Sequence, residues 1–412
     1  MTDKKRLLSF LQETGFLYLC PSKHSSDDIM AGIYLHIPFC KRRCIYCDFY
    51  STTMDGRKDE YISALCHELS MRQHYLEDER IKTIYWGGGT PSQLEERHFR
   101  TVFDTLARHY ELQPDAEITL EANPDDLTPA YIHMLRRLPF NRISIGIQTF
   151  DDETLRLLHR RHTAAQAIDA VRRCQDTGFE NISIDLMYGL PKESLQSWEH
   201  DLCQAISLHV QHLSAYHLIY EEGTELWRLR RQHRVEEVDE DSSLAFFNLL
   251  MDKMKQAGFE HYEISNFALP GRYSRHNSSY WDGTKYMGCG AAAHSFNGVS
   301  RQWNIASLEL YIKGIREGTI PAEVEQLDVH TRYNDRIITA IRTSKGLLLP
   351  ALEKEFGKEL HDFCLRNARH YLTQGKLTIE NDWLRLTRAG IFISDGIMSD
   401  LLWVDEDACQ DE

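Results

Sequence analysis

Cys40-Lys-Arg-Arg-Cys44-Ile-Tyr-Cys47 has the spacing C-x3-C-x2-C, and three soft thiolates this close together suit an iron–sulfur cluster or zinc. Three thiolates cannot saturate a cubane of four irons. One iron is left open to a chelating ligand bearing amino and carboxylate groups. The competing reading is a zinc knot in which His36 completes a Cys3His tetrahedron. Three unliganded surface thiols would be exposed to oxidation and metal scavenging. The other cysteines, Cys20, Cys66, Cys174, Cys203, Cys289, Cys364 and Cys409, share no spacing of a disulfide framework, which fits reduced thiols in the cytoplasm.

Other residues of chemical interest fall at the ends of β-rich runs. These runs are Ile33–Ile37, Ile81–Tyr85, Glu117–Glu121, Arg142–Gly146, Asn181–Leu186 and His212–Tyr216. Helical stretches alternate with them at Lys58–Glu77, Pro91–Tyr110, Ala164–Thr177 and Ser194–Leu208. Alternation of this kind implies parallel βαβ units. Six units suit either an open barrel related to the (β/α)8 fold or a doubly wound sheet, and periodicity does not separate the two. The cysteines follow the first strand and Gly87-Gly-Gly-Thr90 the second; Glu121 ends the third, Gln148 follows the fourth, and Asp185 lies late in the fifth. All are C-terminal strand ends, the functional face of parallel α/β folds. Within Trp86-Gly-Gly-Gly-Thr-Pro91 the missing side chains let a ligand approach the backbone at a strand-to-helix junction.

After about Tyr220 the alternation stops. A charged segment from Arg228 to Asp241 leads into a helix ending near Gly258. Residues 271–298, rich in Gly, Asn, Ser and aromatics, read as loops and short strands rather than a helix. Helical patterning returns from about Asp328, interrupted by a hairpin of Lys376–Glu380 and Trp383–Thr387, the layout of a winged-helix module. The expected organisation is an N-terminal extension at 1–30, whose native start could be Met30, a barrel at 31–235, a connecting region at 236–322, a winged-helix-like domain at 323–404 and an acidic tail at 405–412. Sixty-two acidic against forty-seven basic residues give a formal charge of −15, which disfavours nucleic acid. No run of about 18 apolar residues suggests a membrane span, and Gln12, Glu13 and Gly15 interrupt any signal-peptide core.

With its lead-in Tyr34-Leu-His-Ile-Pro-Phe-Cys40, the cysteine motif resembles that of the oxygen-independent coproporphyrinogen III oxidase family of radical S-adenosylmethionine (SAM) proteins. Also similar are Tyr85–Pro91, Leu120-Glu-Ala-Asn-Pro124, Arg142–Gln148, Asp185-Leu-Met-Tyr-Gly-Leu-Pro191 and Asp395–Leu401. The resemblance implies an incomplete (β/α)6 TIM-like barrel with a C-terminal helical domain. It implies a [4Fe–4S] cluster on Cys40, Cys44 and Cys47. It further implies SAM contacts from Tyr34, Tyr46, Gly88, Gly89, Thr90, Glu121, Gln148, Arg160, Asp185 and Ile219.

Two functions occur in that family: oxidative decarboxylation of a porphyrinogen, and haem delivery by the HemW-type chaperones. The oxidase motif carries a further cysteine two residues after the third, whereas Cys47 is followed here by Asp48-Phe49. The oxidase's Pro/Tyr-rich N-terminal segment has no counterpart in residues 1–31. Arg275-His276-Asn-Ser-Ser-Tyr280-Trp281 resembles the chaperones' His-Asn-x-x-Tyr-Trp motif. The resemblance therefore implies haem binding by His276, Tyr280 and Trp281, and haem transfer to apo-haemoproteins such as respiratory enzymes at the membrane. An exposed cluster is compatible with a homodimer, although no coiled-coil pattern supports one.

Overall fold

The computed structural model describes residues 30–77 and 80–404; the expectations for an N-terminal extension and an acidic tail lie outside the described residues. Six parallel strands, β1 (Met30–Ile37), β2 (Arg80–Gly88), β3 (Leu112–Ala122), β4 (Arg142–Gln148), β5 (Ile182–Tyr188) and β6 (His212–His217), lie side by side in chain order. Their period-two alternation sorts side chains by polarity. Ile33, Leu35, Ile84, Trp86, Ile118, Leu120, Ile143, Ile145, Ile184 and Leu213 join one hydrophobic core. The alternate positions carry Tyr34, His36, Tyr85, Glu121, Ser144, Asp185, Ser214 and Tyr216. Residues of β3, β4, β5 and β6, with the loops that follow β1 and β2, line one cavity, so the sheet curves around its polar face. The barrel expected from the sequence is thereby established over the doubly wound alternative.

Register places functional neighbours side by side. Glu121 on β3 pairs with Ser144 on β4, and Gly146 on β4 pairs with Asp185 on β5. A bulge between Gly146 and Gln148, with Gln148 at φ 74°, breaks the β4 alternation just where the strand meets the cavity. Helices at Lys58–Met71, Glu96–His109, Ala164–Asp176 and Leu195–Ser207 connect the strands. The first ends six residues short of the expected Glu77, and the second is preceded by a separate 3-10 turn at Pro91–Gln93.

The sheet continues at both ends. Next to β6 come β8 (Asn266–Ala268) and β7 (Glu260–Glu263), and next to β1 come β9 (Tyr286–Cys289), β10 (His294–Phe296), β11 (Ser300–Asn304) and β12 (Ala322–Gln326). Between β8 and β9 lies the helix Arg275–Asp282, where the sequence reading expected only loops and short strands. Ser274 caps its start and Gly283, in the left-handed region at φ 80°, ends it. Those two caps enclose a helix too short and too polar to register as a hydrophobic period. The C-terminal part packs the helices Val329–Ile341 and Leu349–Thr373 against a small sheet of β13 (Leu347–Leu348), β15 (Trp383–Leu386) and β14 (Leu377–Glu380) around a separate core. No helix among the described residues is long and apolar enough to cross a membrane.

Glu68, buried in the first barrel helix, fastens the β9–β11 extension to the barrel. Its Oε1 accepts from Arg72 at 3.2 Å and from Asn304 at 2.7 Å, and its Oε2 accepts from the Gly290 amide at 2.8 Å and the Tyr311 hydroxyl at 2.7 Å. Arg72 donates onward to the Gly288 carbonyl at 2.7 Å and the Ser295 hydroxyl at 3.0 Å. Removing one member strands a buried charge. Glu68→Ala is expected to cost about 3–5 kcal/mol in denaturant unfolding of the folded domain, and Glu68→Gln, which keeps an acceptor, markedly less.

Candidate functional site

The cysteine loop follows β1 and is pinned at both ends. The Cys40 amide donates to Thr52 O at 2.9 Å, and the Thr52 amide returns to Pro38 O at 2.7 Å. In the middle, buried Ile45 packs with Leu158, Met187, Leu190, Leu218 and Leu226, while its backbone bonds Leu158 O and the Leu226 amide. Anchoring Ile45 inward turns the neighbouring thiols toward the cavity at the barrel mouth, which has a volume of about 470 Å³ and is lined by Cys40, Cys44 and Cys47. Lys41, Arg42 and Arg43, the three residues inside the first spacing, are exposed.

Cys40 Sγ lies 3.3 Å from Thr90 Oγ1, and Arg160 donates to Cys44 Sγ at 3.6 Å. Burial pushes the Cys40 thiol above its ordinary range and that of Cys47 up to about 11; a metal that binds thiolate would reverse this. The donor set fits a cluster better than a single zinc ion. Among the described residues no group of three His, Cys, Asp or Glu converges on one ion position. His36, the proposed fourth zinc ligand, has both nitrogens engaged, Nδ1 with Tyr34 Oη at 3.0 Å and Nε2 with Tyr50 O at 3.0 Å. A side chain at Gly88 (φ 105°) would collide with that imidazole at 2.5 Å.

Beside the thiols the cavity wall changes to polar ligand-binding groups. Glu121 Oε1 accepts from Tyr85 Oη at 2.7 Å, and Oε2 accepts from the Gly88 amide at 3.2 Å. Burial, reinforced by Asp185, pushes the Glu121 carboxyl up to about 7 despite those two bonds. Burial likewise raises Asp185 to about 6, against the hydroxyls of Ser214 and Ser144. Arg160 donates from Nη2 to Asn123 Oδ1 at 2.6 Å and Gly146 O at 2.5 Å, yet its buried Nε finds no partner among the described residues. Two carboxylates, a guanidinium with an unused donor and a glycine turn form a set suited to a zwitterionic ligand with hydroxyl groups. SAM is such a ligand, with an amino and a carboxylate group that would be able to chelate an iron that three cysteines would leave open.

Eleven of the expected cluster and SAM residues line this one cavity: the three cysteines, then Tyr46, Gly89, Thr90 and Glu121, then Gln148, Arg160, Asp185 and Ile219. Gly88 reaches it only through its amide on Glu121, and Tyr34 stands deeper in the barrel against Tyr85. Asn123, Ser144 and Tyr216, to which the sequence alone gives no role, also line the cavity. The alternation of β4 and β6 identifies Ser144 and Tyr216 as inward-facing, and Asn123 lies two residues beyond Glu121. The exposed pair Phe49 and Ile219, at 64% and 63% accessibility, forms an apolar rim with Arg42 and Arg43 beside it.

The residues expected to hold haem sit elsewhere. His276, at 0% accessibility, lies inside the barrel against β2, with Nδ1 at 2.8 Å from Thr83 Oγ1 and Nε2 at 2.9 Å from Tyr280 Oη. Its amide donates to Glu117 Oε1 at 3.0 Å, and burial pulls the imidazole down to about 3. Trp281 instead stacks under the Arg342 guanidinium at 4.5 Å. The motif thus forms a plug inside the barrel, with neither ring nitrogen of His276 free for iron in this conformation.

Comparison with known proteins agrees with the site. Residues 34–202 match the radical SAM superfamily, and residues 327–393 match the HemN C-terminal domain. The chain is 34% identical to the haem chaperone HemW of Mycobacterium tuberculosis, over 90% of this chain and 94% of the relative, and 32% identical to HemW of Bacillus subtilis, over 90% and 99%. Its fold resembles that of coproporphyrinogen III oxidase (HemN) from Escherichia coli, with a TM-score of 0.80, 21% identity and coverage of 91% and 90%. The chain belongs to the HemW family of radical SAM proteins.

Proposed function

We propose that this protein is a haem chaperone that binds haem and passes it to apo-haemoproteins, with a [4Fe–4S] cluster on Cys40, Cys44 and Cys47 and SAM beside it. The observation that carries the cofactor reading is the shared cavity, in which thiols, glycine turn, buried carboxylates and Arg160 face one space. When bound, cluster and SAM supply one-electron chemistry. The chain's own groups bind and orient: Glu121 and Asp185 accept from the ligand's donors, Arg160 faces its anionic part, and Thr90 stands against Cys40. The names of the relatives, together with Asp48-Phe49 in place of a further cysteine, support haem as cargo over a porphyrinogen as substrate.

The rim offers haem a landing place: flat apolar surface from Phe49 and Ile219, with Arg42 and Arg43 for carboxylates. Ligation of iron by His276 requires the plug to open, because both ring nitrogens are already bonded. Cytoplasmic haem delivery to respiratory enzymes at the membrane, with or without a homodimer, belongs to the same reading.

Two outcomes test it. Ionised Glu121 is the better acceptor, and its carboxyl releases its proton at about 7; protonation below that value therefore weakens SAM binding. The SAM affinity of the anaerobically reconstituted protein is expected to rise as pH increases through 7, with Glu121→Gln about tenfold weaker and flat, as measured by equilibrium dialysis. In the second, titration with haem gives a saturable Soret change and incubation with coproporphyrinogen III, SAM and reductant gives no protoporphyrinogen. Decarboxylation without haem binding would make the protein an oxidase.

A further inference from the structure

The His276 helix touches the SAM side of the barrel at two points. The first is a stack: the imidazole lies on the Tyr85 ring at 5.0 Å and 21°, and the hydroxyl of that tyrosine donates to Glu121 at 2.7 Å. The second is a small, polar cavity of about 50 Å³, bounded by Ser274 and Asn277 of the plug and by Tyr85, Glu121, Arg142 and Asp185 of the barrel. That space is large enough and polar enough for ordered water.

Two glycines make the stack possible. A Cβ on Gly32 would stand 2.8 Å from Thr83 Oγ1 and 3.2 Å from His276 Nδ1, and one on Gly87 would stand 2.9 Å from Tyr85 Cε1 and 3.1 Å from Glu121 Oε1. Bare backbone on β1 therefore admits the imidazole, and bare backbone on β2 lets Tyr85 and Glu121 meet. The imidazole is oriented at its two nitrogens by Thr83 and Tyr280, and the Glu117 carboxylate holds the backbone amide of the same residue. Held neutral by burial, the ring packs against Tyr85 without placing a positive charge near Glu121.

We propose that His276 is a positioning residue for SAM: by holding the Tyr85 ring it keeps the Tyr85 hydroxyl on Glu121 and sets the carboxylate that receives the ligand. This rests on the reading that Glu121 binds SAM. The motif then acts through the cofactor site, and its outer end, Trp281 under Arg342, joins that site to the C-terminal part of the chain. Arg342 is itself held by Glu263 at 2.8 Å.

A double-mutant cycle on the reconstituted full chain tests it, reading SAM affinity from the change in the reduced cluster's EPR spectrum. His276→Ala and Tyr85→Phe are each expected to weaken SAM about tenfold, and the double variant no further than either single one. Tyr280→Phe, which frees only Nε2, is expected to weaken SAM in the same direction by less, and serves if His276→Ala does not fold. Additive losses would make His276 merely structural and overturn the proposal. So would SAM affinity at the wild-type level in His276→Ala with haem binding abolished, the signature of an iron ligand. A wild-type protein that binds no SAM would overturn the reading beneath it as well.

Discussion

Ionised carboxylates are costly inside a protein unless donors surround them, and Glu121 and Asp185 both stand in the wall of this barrel's cavity. Glu121 and Asp185 face its interior because strands sort residues by alternation, and apolar partners at the intervening positions hold that alternation in register. Tyr85 and the Gly88 amide meet part of the demand of Glu121, and hydroxyls meet part of that of Asp185. The remainder leaves both carboxyls above their ordinary range, ready for a ligand that brings donors. Glycines at 87 to 89 follow from the same constraint, since side chains there would strike Tyr85 and Glu121, His36 or the Pro38 backbone.

The cluster loop depends on the opposite kind of interaction. Ile45 sits in a small apolar cluster built by loops after β4, β5 and β6. Burying one isoleucine between cysteines fixes the direction of the thiols on either side of it. Of the three basic residues between the first two cysteines, Lys41 pairs with Asp126 at 3.1 Å, Arg43 donates to the Cys47 and Phe49 carbonyls, and Arg42 and Arg43 line the cavity mouth. An otherwise acidic chain thereby presents cations at the cavity mouth.

Much of this is legible in the residues. The six strands, and the positions of Cys40 just after the first and of Glu121 near the end of the third, follow from alternation and spacing; Asp185, expected late in its strand, is instead the middle residue of β5, which extends two residues beyond its β-rich run. The motif that resembles a haem site was less legible. His276 sits in a polar stretch whose composition suggests loop, and only Ser274 and Gly283 mark the caps of its helix. That the helix enters the barrel depends on contacts with Thr83, Glu117 and Tyr85, between 159 and 193 residues earlier, which no local pattern encodes. The Glu68 strap escaped for the same reason, with partners at 288 to 311.

Whether one cavity holds a cubane cluster with an iron open to SAM is decided by EPR of the anaerobically reconstituted and reduced protein before and after SAM is added, alongside its iron and sulfide content. Iron and sulfide in cubane ratio, with a cluster spectrum that shifts when SAM binds and is lost in Cys44→Ala, is the predicted result. A protein that takes up a single zinc ion, or a cluster whose spectrum ignores SAM, would contradict the account.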